Sequence, residues 1–160
     1  MLKVVSNTTP IISLLKIGKL PIFKDLYGEI FIPQEVFNEI EAGKNKEFYT
    51  DLSKINWIKI EKIANVKSLS YFLDLDKGEA EAIVLATEIG ADLIILDESL
   101  GRFHAKHHGL NVTGTIGLLL KAKQLKFITE LKPLLFELRS KNVWLSDSFI
   151  ENALNFANEK

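Results

Sequence analysis

Apolar positions along the chain come in short runs divided by segments with helical spacing. The first run, Leu2-Lys3-Val4-Val5, is partly β-branched and is stopped by Ser6-Asn7-Thr8-Thr9-Pro10. This pattern predicts a buried strand entering a helix, with Thr9 as N-cap and Pro10 at the first helical position ahead of Ile11, Ile12, Leu14 and Leu15. Glu29-Ile30-Phe31-Ile32 predicts a second strand. Pro33 then opens a helix that carries Val36, Phe37 and Ile40 on its apolar side and ends at Gly43. Asn56 to Ile60 alternates as a strand does, and Val66 to Phe72 predicts a short helix.

The clearest unit begins at Asp76-Lys77-Gly78-Glu79, the start of a helix whose stripe Ala82, Leu85, Ala86 and Ile89 recurs at helical spacing and stops at Gly90. Asp92-Leu93-Ile94-Ile95-Leu96 follows as an almost continuous apolar strand, the pattern of a strand covered on both faces, and Asp97 closes it. Next come a helix from about Ser99 to His108, a short strand near Leu110-Asn111-Val112 and a helix opening at Thr113-Gly114-Thr115. Two further helices run through Leu135 and Leu154. Strands alternating with helices predict an α/β sandwich around a mostly parallel sheet. In such sheets ligands gather at the carboxyl ends of the strands, where Asn7, Asp97 and the Thr113-Gly114-Thr115 turn fall.

Composition narrows the function classes. The chain has 160 residues, 47% of them apolar, with no cysteine and a formal net charge of −1. That length suits one domain spanning 1–160, with C-terminal helices from about 127. The balance of charge excludes a protein that coats nucleic acid through bulk charge, and leaves a local patch open. Without cysteine there is no disulfide framework, thiol nucleophile or cysteine-based metal site. No export signal and no apolar run near the roughly 20 residues of a membrane span are visible, so a cytoplasmic location without a membrane partner is expected.

Candidate chemistry rests on acidic residues. Asp97 ends an apolar strand, where its carboxylate either faces the crevice above the sheet or caps the next helix. Glu98 beside it either supports a metal or favours that helix N-terminus. Glu79 and Glu81 flank the apolar stripe from opposite sides, and Asp76 to Glu79 also has capping-box spacing. Gly78 in a helix start suggests the close approach of another backbone or a ligand. Glu39 lies at the edge of its helix stripe. Carboxylates converging at strand ends would suit Mg²⁺ or Mn²⁺ and in-line phosphoryl displacement.

Weaker signals surround these. His104, His107 and His108 lack the His-Glu-x-x-His order of zinc sites and, with Arg102 and Lys106, form a candidate cationic patch for phosphates. Trp57 and Trp144 read as core anchors rather than base-stacking platforms. Phe136, Leu138, Val143, Trp144, Phe149 and Phe156 offer a candidate dimer or partner surface, although internal helix packing explains most of them as well. Walker, Gly-x-Ser-x-Gly and Gly-x-Gly-x-x-Gly motifs are missing from the sequence.

Taken in order, Val4-Val5-Ser6-Asn7-Thr8-Thr9-Pro10, Ile32-Pro33, Val36…Glu39-Ile40, Gly78-Glu79-Ala80-Glu81-Ala82-Ile83, Leu93 to Glu98, Arg102 and Val112 to Gly117 resemble the PIN-domain proteins. The similarity points to a prokaryotic branch related to the VapC-type toxin ribonucleases of toxin–antitoxin operons. The resemblance implies a three-layer α/β/α sandwich, PIN-like, and a metal-dependent endoribonuclease using Mg²⁺ or Mn²⁺. It implies RNA as substrate, a cognate antitoxin as partner and a homodimer. It places catalytic roles on Glu39, Glu79 and Asp97, and metal ligation on Asn7, Glu39, Glu79, Asp97 and Glu98. Thr8, Glu81 and Thr115 become auxiliaries, and Arg102 and Lys106 RNA contacts. Asn7 departs from the pattern: many members have Asp there, and a neutral amide removes a negative charge from the site. A PIN-like RNA- or protein-binding module with little turnover is the alternative.

Overall fold

A computed structural model describes residues 2–159. Five parallel strands, β1 (Val4–Ser6), β2 (Ile30–Pro33), β3 (Ile58–Glu61), β4 (Leu93–Ile95) and β5 (Val112–Thr113), form one sheet in the order β3-β2-β1-β4-β5. The helices are α1 (Thr8–Lys16), α2 (Ile22–Tyr27), α3 (Gln34–Glu41), α4 (Lys77–Glu88), α5 (Ser99–His107), α6 (Thr115–Gln124), α7 (Lys132–Ser140) and α8 (Asp147–Phe156). Short 3-10 turns cover Leu52–Lys54 and Val66–Phe72.

Side chains alternate across the strands and so build a core on each face. Val4, Ile30, Ile32 and Ile95 join the core under α1, α6, α7 and α8, whereas Val5, Ile94 and Leu96 join the one under α4 and α5. The result is a three-layer α/β/α sandwich. From β1 the chain crosses to β2 on one side, and later returns to place β4 on the other. The crevice where strand order reverses therefore opens at the carboxyl ends of β1 and β4, beside Asn7 and Asp97.

Several boundaries differ from the sequence reading. α1 begins at Thr8, so the N-cap is Asn7, and its side chain makes no capping bond. The backbone decides this: the Asn7 N–H still donates to the Ile95 carbonyl at 3.0 Å, and the chain turns helical immediately afterwards. Thr9 is already inside the helix. Helix α2 was not expected, because six residues between Pro21 and Gly28 are too few to display a period; burial of Ile22, Phe23 and Tyr27 stabilises it. Pro33 ends β2 rather than opening α3 from within, which suits a residue with no N–H to contribute at a strand end.

Candidate active site

At the carboxyl edge of the sheet, helix N-termini receive carboxylates from other elements. Each has backbone N–H groups with no partner inside its own helix, so an anion there is stabilised by hydrogen bonding and by the helix dipole. Asp97 accepts the Thr115 N–H and the Thr115 hydroxyl, both at 2.7 Å, and so caps α6. Asp97 thus caps a helix, but α6 rather than the adjacent α5, and it lines the grooves at the strand ends as well. Glu81 accepts the Glu35 N–H at 3.2 Å in the first turn of α3. Glu39 accepts the Thr8 hydroxyl at 2.5 Å and the Gly78 N–H at the start of α4.

Three glycines make room for acidic side chains, and a Cβ on Gly114 would lie 2.7 Å from Asp97 Oδ1. A Cβ on Gly78 would lie 2.5 Å from Glu39 Oε1, and one on Gly101 would lie 2.6 Å from Glu79 Oε2. The glycine in the helix start is thus explained by close approach, with the Glu39 carboxylate as the approaching group. In α4 the Asp76 carboxylate caps by accepting the Glu79 N–H at 2.8 Å. The Glu79 side chain turns away toward α5, whereas Glu81 turns toward α3.

Contacts link the acidic residues around the crevice. Thr8 holds Glu39, and the next residue, Thr9, donates its hydroxyl to Glu98 Oε1 at 2.9 Å. Glu98 and Asp76 in turn bring negative charge to Glu79. Burial, first of all, and then the neighbouring Asp76 and Glu98 push the Glu79 carboxyl up to about 8. Burial also raises Glu39, against the lowering effect of the Thr8 hydroxyl and the Gly78 N–H.

Three oxygens in this crevice, Asn7 Oδ1, Glu79 Oε2 and Glu98 Oε2, are buried and accept no hydrogen bond from the described residues. Asn7 is 2% exposed and Glu79 6%. Buried oxygens left without a donor are costly, and an oxygen-seeking cation relieves that cost. The donor set therefore fits Mg²⁺ or Mn²⁺, hard ions that take carboxylate and amide oxygens. The fit is open rather than closed: among the described residues no three His, Cys, Asp or Glu side chains gather tightly enough to hold an ion by themselves.

The expected residues are thus distributed unevenly. At the carboxyl edge of the sheet Thr8 meets Glu39, Thr9 meets Glu98, Glu79 takes the charge of Glu98, and Asn7 precedes Thr8 at the head of α1, while Asp97 and Thr115 form the rim as a mutual cap. Glu81 spends an oxygen on α3. Arg102 folds back onto the end of β4, its Nη1 donating to the Leu96 carbonyl at 3.1 Å. Lys106 is exposed eight positions after Glu98, about 12 Å further along α5 at 1.5 Å per residue. The histidines do not join it in a patch beside the crevice. His104 Nε2 meets Asp74 Oδ2 at 2.9 Å, and the His104 and His108 rings pack on Phe72 at the far end of α5.

Two side chains have roles that the sequence does not show. Thr9 orients Glu98, and its polar neighbours disguised it as a cap. Asp76 perturbs Glu79, a role its capping position hides. Of the two readings of Trp144, core anchor and surface residue, its 84% exposure selects the surface, whereas Trp57 packs against the core. Leu138, counted with the surface candidates, is fully buried in the core.

Two grooves flank the rim. One of about 660 Å³ runs from Asp97 and Thr115 to Trp144, between α1 and the turn before α8. The other, about 530 Å³, runs from Asp97 past Arg102 to Phe156. A family model described as a PIN domain matches residues 3–159. No curated protein matches the chain.

Proposed function

The chain belongs to the PIN-domain family, and from that premise we propose that it is a metal-dependent endoribonuclease, the toxin of a toxin–antitoxin pair. The observation that carries this reading is the set of three buried, undonated oxygens, Asn7 Oδ1, Glu79 Oε2 and Glu98 Oε2, at the sheet's switch point. Glu79, Glu98 and Asn7 would hold a divalent ion, with Glu39 and Asp97 completing the acidic set. Such an ion supplies positive charge that acidifies water and offsets charge developing on a phosphodiester.

The remaining work falls to the chain itself. Glu79, its carboxyl pushed up to about 8 by burial first and then by Asp76 and Glu98, holds a proton at neutral pH. Thr8 and Thr9 fix the carboxylates of Glu39 and Glu98 through their hydroxyls. Asp97 ties the end of β4 to the start of α6, which sets the wall on which a phosphate would rest. Asn7 contributes one neutral oxygen where a carboxylate would add to the repulsion already acting on Glu79.

A second reading has its own support. Asn7 is neutral and both oxygens of Asp97 are engaged with Thr115, which suits a PIN-like module that binds RNA or protein with little turnover. One experiment separates the two. Purified protein is incubated with a pool of structured and single-stranded RNA in Mn²⁺, Mg²⁺ or chelator, beside Glu79→Gln and Asp97→Asn prepared identically. Cleavage that requires metal and fails in both variants is the expected result. Intact RNA under every metal, from folded protein, refutes the nuclease and supports the module.

A further inference from the structure

Hydrogen-bond partners are exchanged where β4 ends, and the sheet register shows which ones. Ile94 pairs with Val112, and alternate residues of β4 bond to β5: the Ile94 N–H donates to the Asn111 carbonyl at 2.9 Å and the Leu96 N–H to the Thr113 carbonyl at 2.8 Å. In a parallel pair a residue that donates to one position accepts from the position two further along. The N–H that this ladder assigns to the Leu96 carbonyl is therefore that of Thr115. It donates instead to Asp97 Oδ1 at 2.7 Å, and the carbonyl it leaves accepts from Arg102 Nη1 at 3.1 Å.

Gly114 gives this exchange its room. Its φ of −113° and ψ of −175° are open to any residue, so no backbone conformation calls for glycine there. A Cβ, however, would lie 2.7 Å from Asp97 Oδ1 and 3.0 Å from Arg102 Nη1. Carboxylate and guanidinium thus converge on the one residue between the end of β5 and the start of α6. Leu96 is fully buried, and a main-chain carbonyl in such a place is costly to leave without a donor. Without the guanidinium, the Leu96 carbonyl and the Asp97 carboxylate compete for a single N–H.

We infer that Arg102 is a positioning residue for Asp97: by occupying the Leu96 carbonyl it leaves the Thr115 N–H to the Asp97 carboxylate, which fixes that carboxylate at the rim. The resemblance assigns Arg102 to RNA, whereas the geometry commits one of its nitrogens to the main chain inside the fold. The inference deepens the nuclease reading and rests on it for what Asp97 does at the rim. The exchange of partners itself involves no substrate and no metal.

The test is urea unfolding of the full chain in chelator, with Arg102→Met made in three backgrounds. In the parent it should raise the unfolding equilibrium constant about tenfold or more, the loss of a hydrogen bond from a charged donor. Asp97→Asn keeps an acceptor for the Thr115 N–H, so Arg102→Met should cost as much in that chain. Asp97→Ala frees the Thr115 N–H for the Leu96 carbonyl, and there the same substitution should cost at least about fivefold less. Equal costs in all three backgrounds overturn the inference. So does a cost that falls equally with Asn and with Ala, which reduces the pair to an attraction of opposite charges.

Gly114→Ala reads the same exchange with Arg102 in place. Its Cβ drives the carboxylate and the guanidinium off their partners, so the Thr115 amide should exchange with solvent about tenfold faster than in the parent, and an unchanged rate overturns the inference. Turnover separates positioning from a contact with substrate. Arg102→Met should lower kcat about tenfold or more at unchanged KM, because Arg102 acts through Asp97; a raised KM at unchanged kcat makes Arg102 a phosphate contact and overturns the inference. Failure of the nuclease reading looks different. RNA left intact by the parent removes the enzyme, and the unfolding measurements still decide the role of Arg102.

Discussion

Replacing Glu79 by Gln should stabilise the metal-free protein, and increasingly so as pH rises. The Glu79 carboxyl is held at about 8 in the fold against an ordinary value of 4.5. Its folded pKa is raised, so the unfolded chain gives up this proton first. Below the unfolded value both states are protonated and the group is neutral to stability. Between there and about pH 8 the fold loses stability progressively, and above that the loss is constant. At about 1.4 kcal/mol per pH unit the full loss is on the order of 5 kcal/mol, and relaxation of the surrounding groups, which raises the effective dielectric above that of a dry interior, reduces it to about 2 kcal/mol. Gln keeps the shape and carries no charge. Melting in chelator should therefore show a gap between variant and parent that widens by about 4 to 8 °C from pH 5 to pH 8, at about 2 to 4 °C per kcal/mol for a chain of this size. A constant offset reflects altered hydrogen bonding and is immaterial. A gap that does not change with pH, or one that narrows, refutes the account of the site as a set of mutually repelling buried carboxylates.

Other perturbations test neighbouring parts of the same geometry. Asn7→Asp adds a charge at a buried position beside that set, so it should lower the melting temperature in chelator and enlarge the shift produced by Mn²⁺, both read by differential scanning fluorimetry. Gly101→Ala puts a Cβ 2.6 Å from Glu79 Oε2 and 3.0 Å from Leu96 Cδ2; the clash should outweigh the helix propensity gained and cost about 1 to 3 kcal/mol, part of which Glu79→Ala in the same chain returns in a double-mutant cycle. Asp97→Asn weakens the paired hydrogen bonds to Thr115 and should cost about 1 to 2 kcal/mol in urea unfolding, with faster amide exchange in the first turn of α6.

The fold was legible wherever burial imposed a period. β4 is covered on both faces and announces itself as Leu93-Ile94-Ile95-Leu96; α4 announces itself through Asp76 and the Ala82 to Ile89 stripe. Boundaries were less legible at α1, because Ser6-Asn7-Thr8-Thr9 offers four potential caps and the ladder bond from Asn7 to Ile95 chooses among them. Partners distant in sequence were not legible at all. That Asp97 caps α6, that Glu81 caps α3 and that Glu39 rests on Gly78 depends on how separate strand-helix units sit side by side. The sequence leaves Trp144 between two readings, core and surface, for a related reason. A tryptophan between Val143 and Leu145 looks like core until the neighbouring helices are seen to bury Leu138 and Ile150 instead.

Helix N-termini explain how so acidic an edge survives folding without an ion. Each donates backbone N–H groups toward the crevice rim, and the carboxylates of Glu39, Glu81 and Asp97 are each tied to one of them. Those three are satisfied within the fold and define its walls. Glu79 Oε2 and Glu98 Oε2 are left over, since α5 begins with Glu98 itself as N-cap and supplies no side-chain capping bond. A metal-free fold can tolerate the remainder in one of two ways: by keeping a proton on Glu79, which its raised pKa provides, or by keeping the next oxygen neutral, which Asn7 provides. On this argument Asn7 belongs to the same electrostatic arrangement as Glu79. The amide supplies a buried oxygen without adding a charge to those of Asp76 and Glu98, which together with burial, the larger cause, hold a proton on Glu79, and that oxygen accepts no hydrogen bond from the described residues.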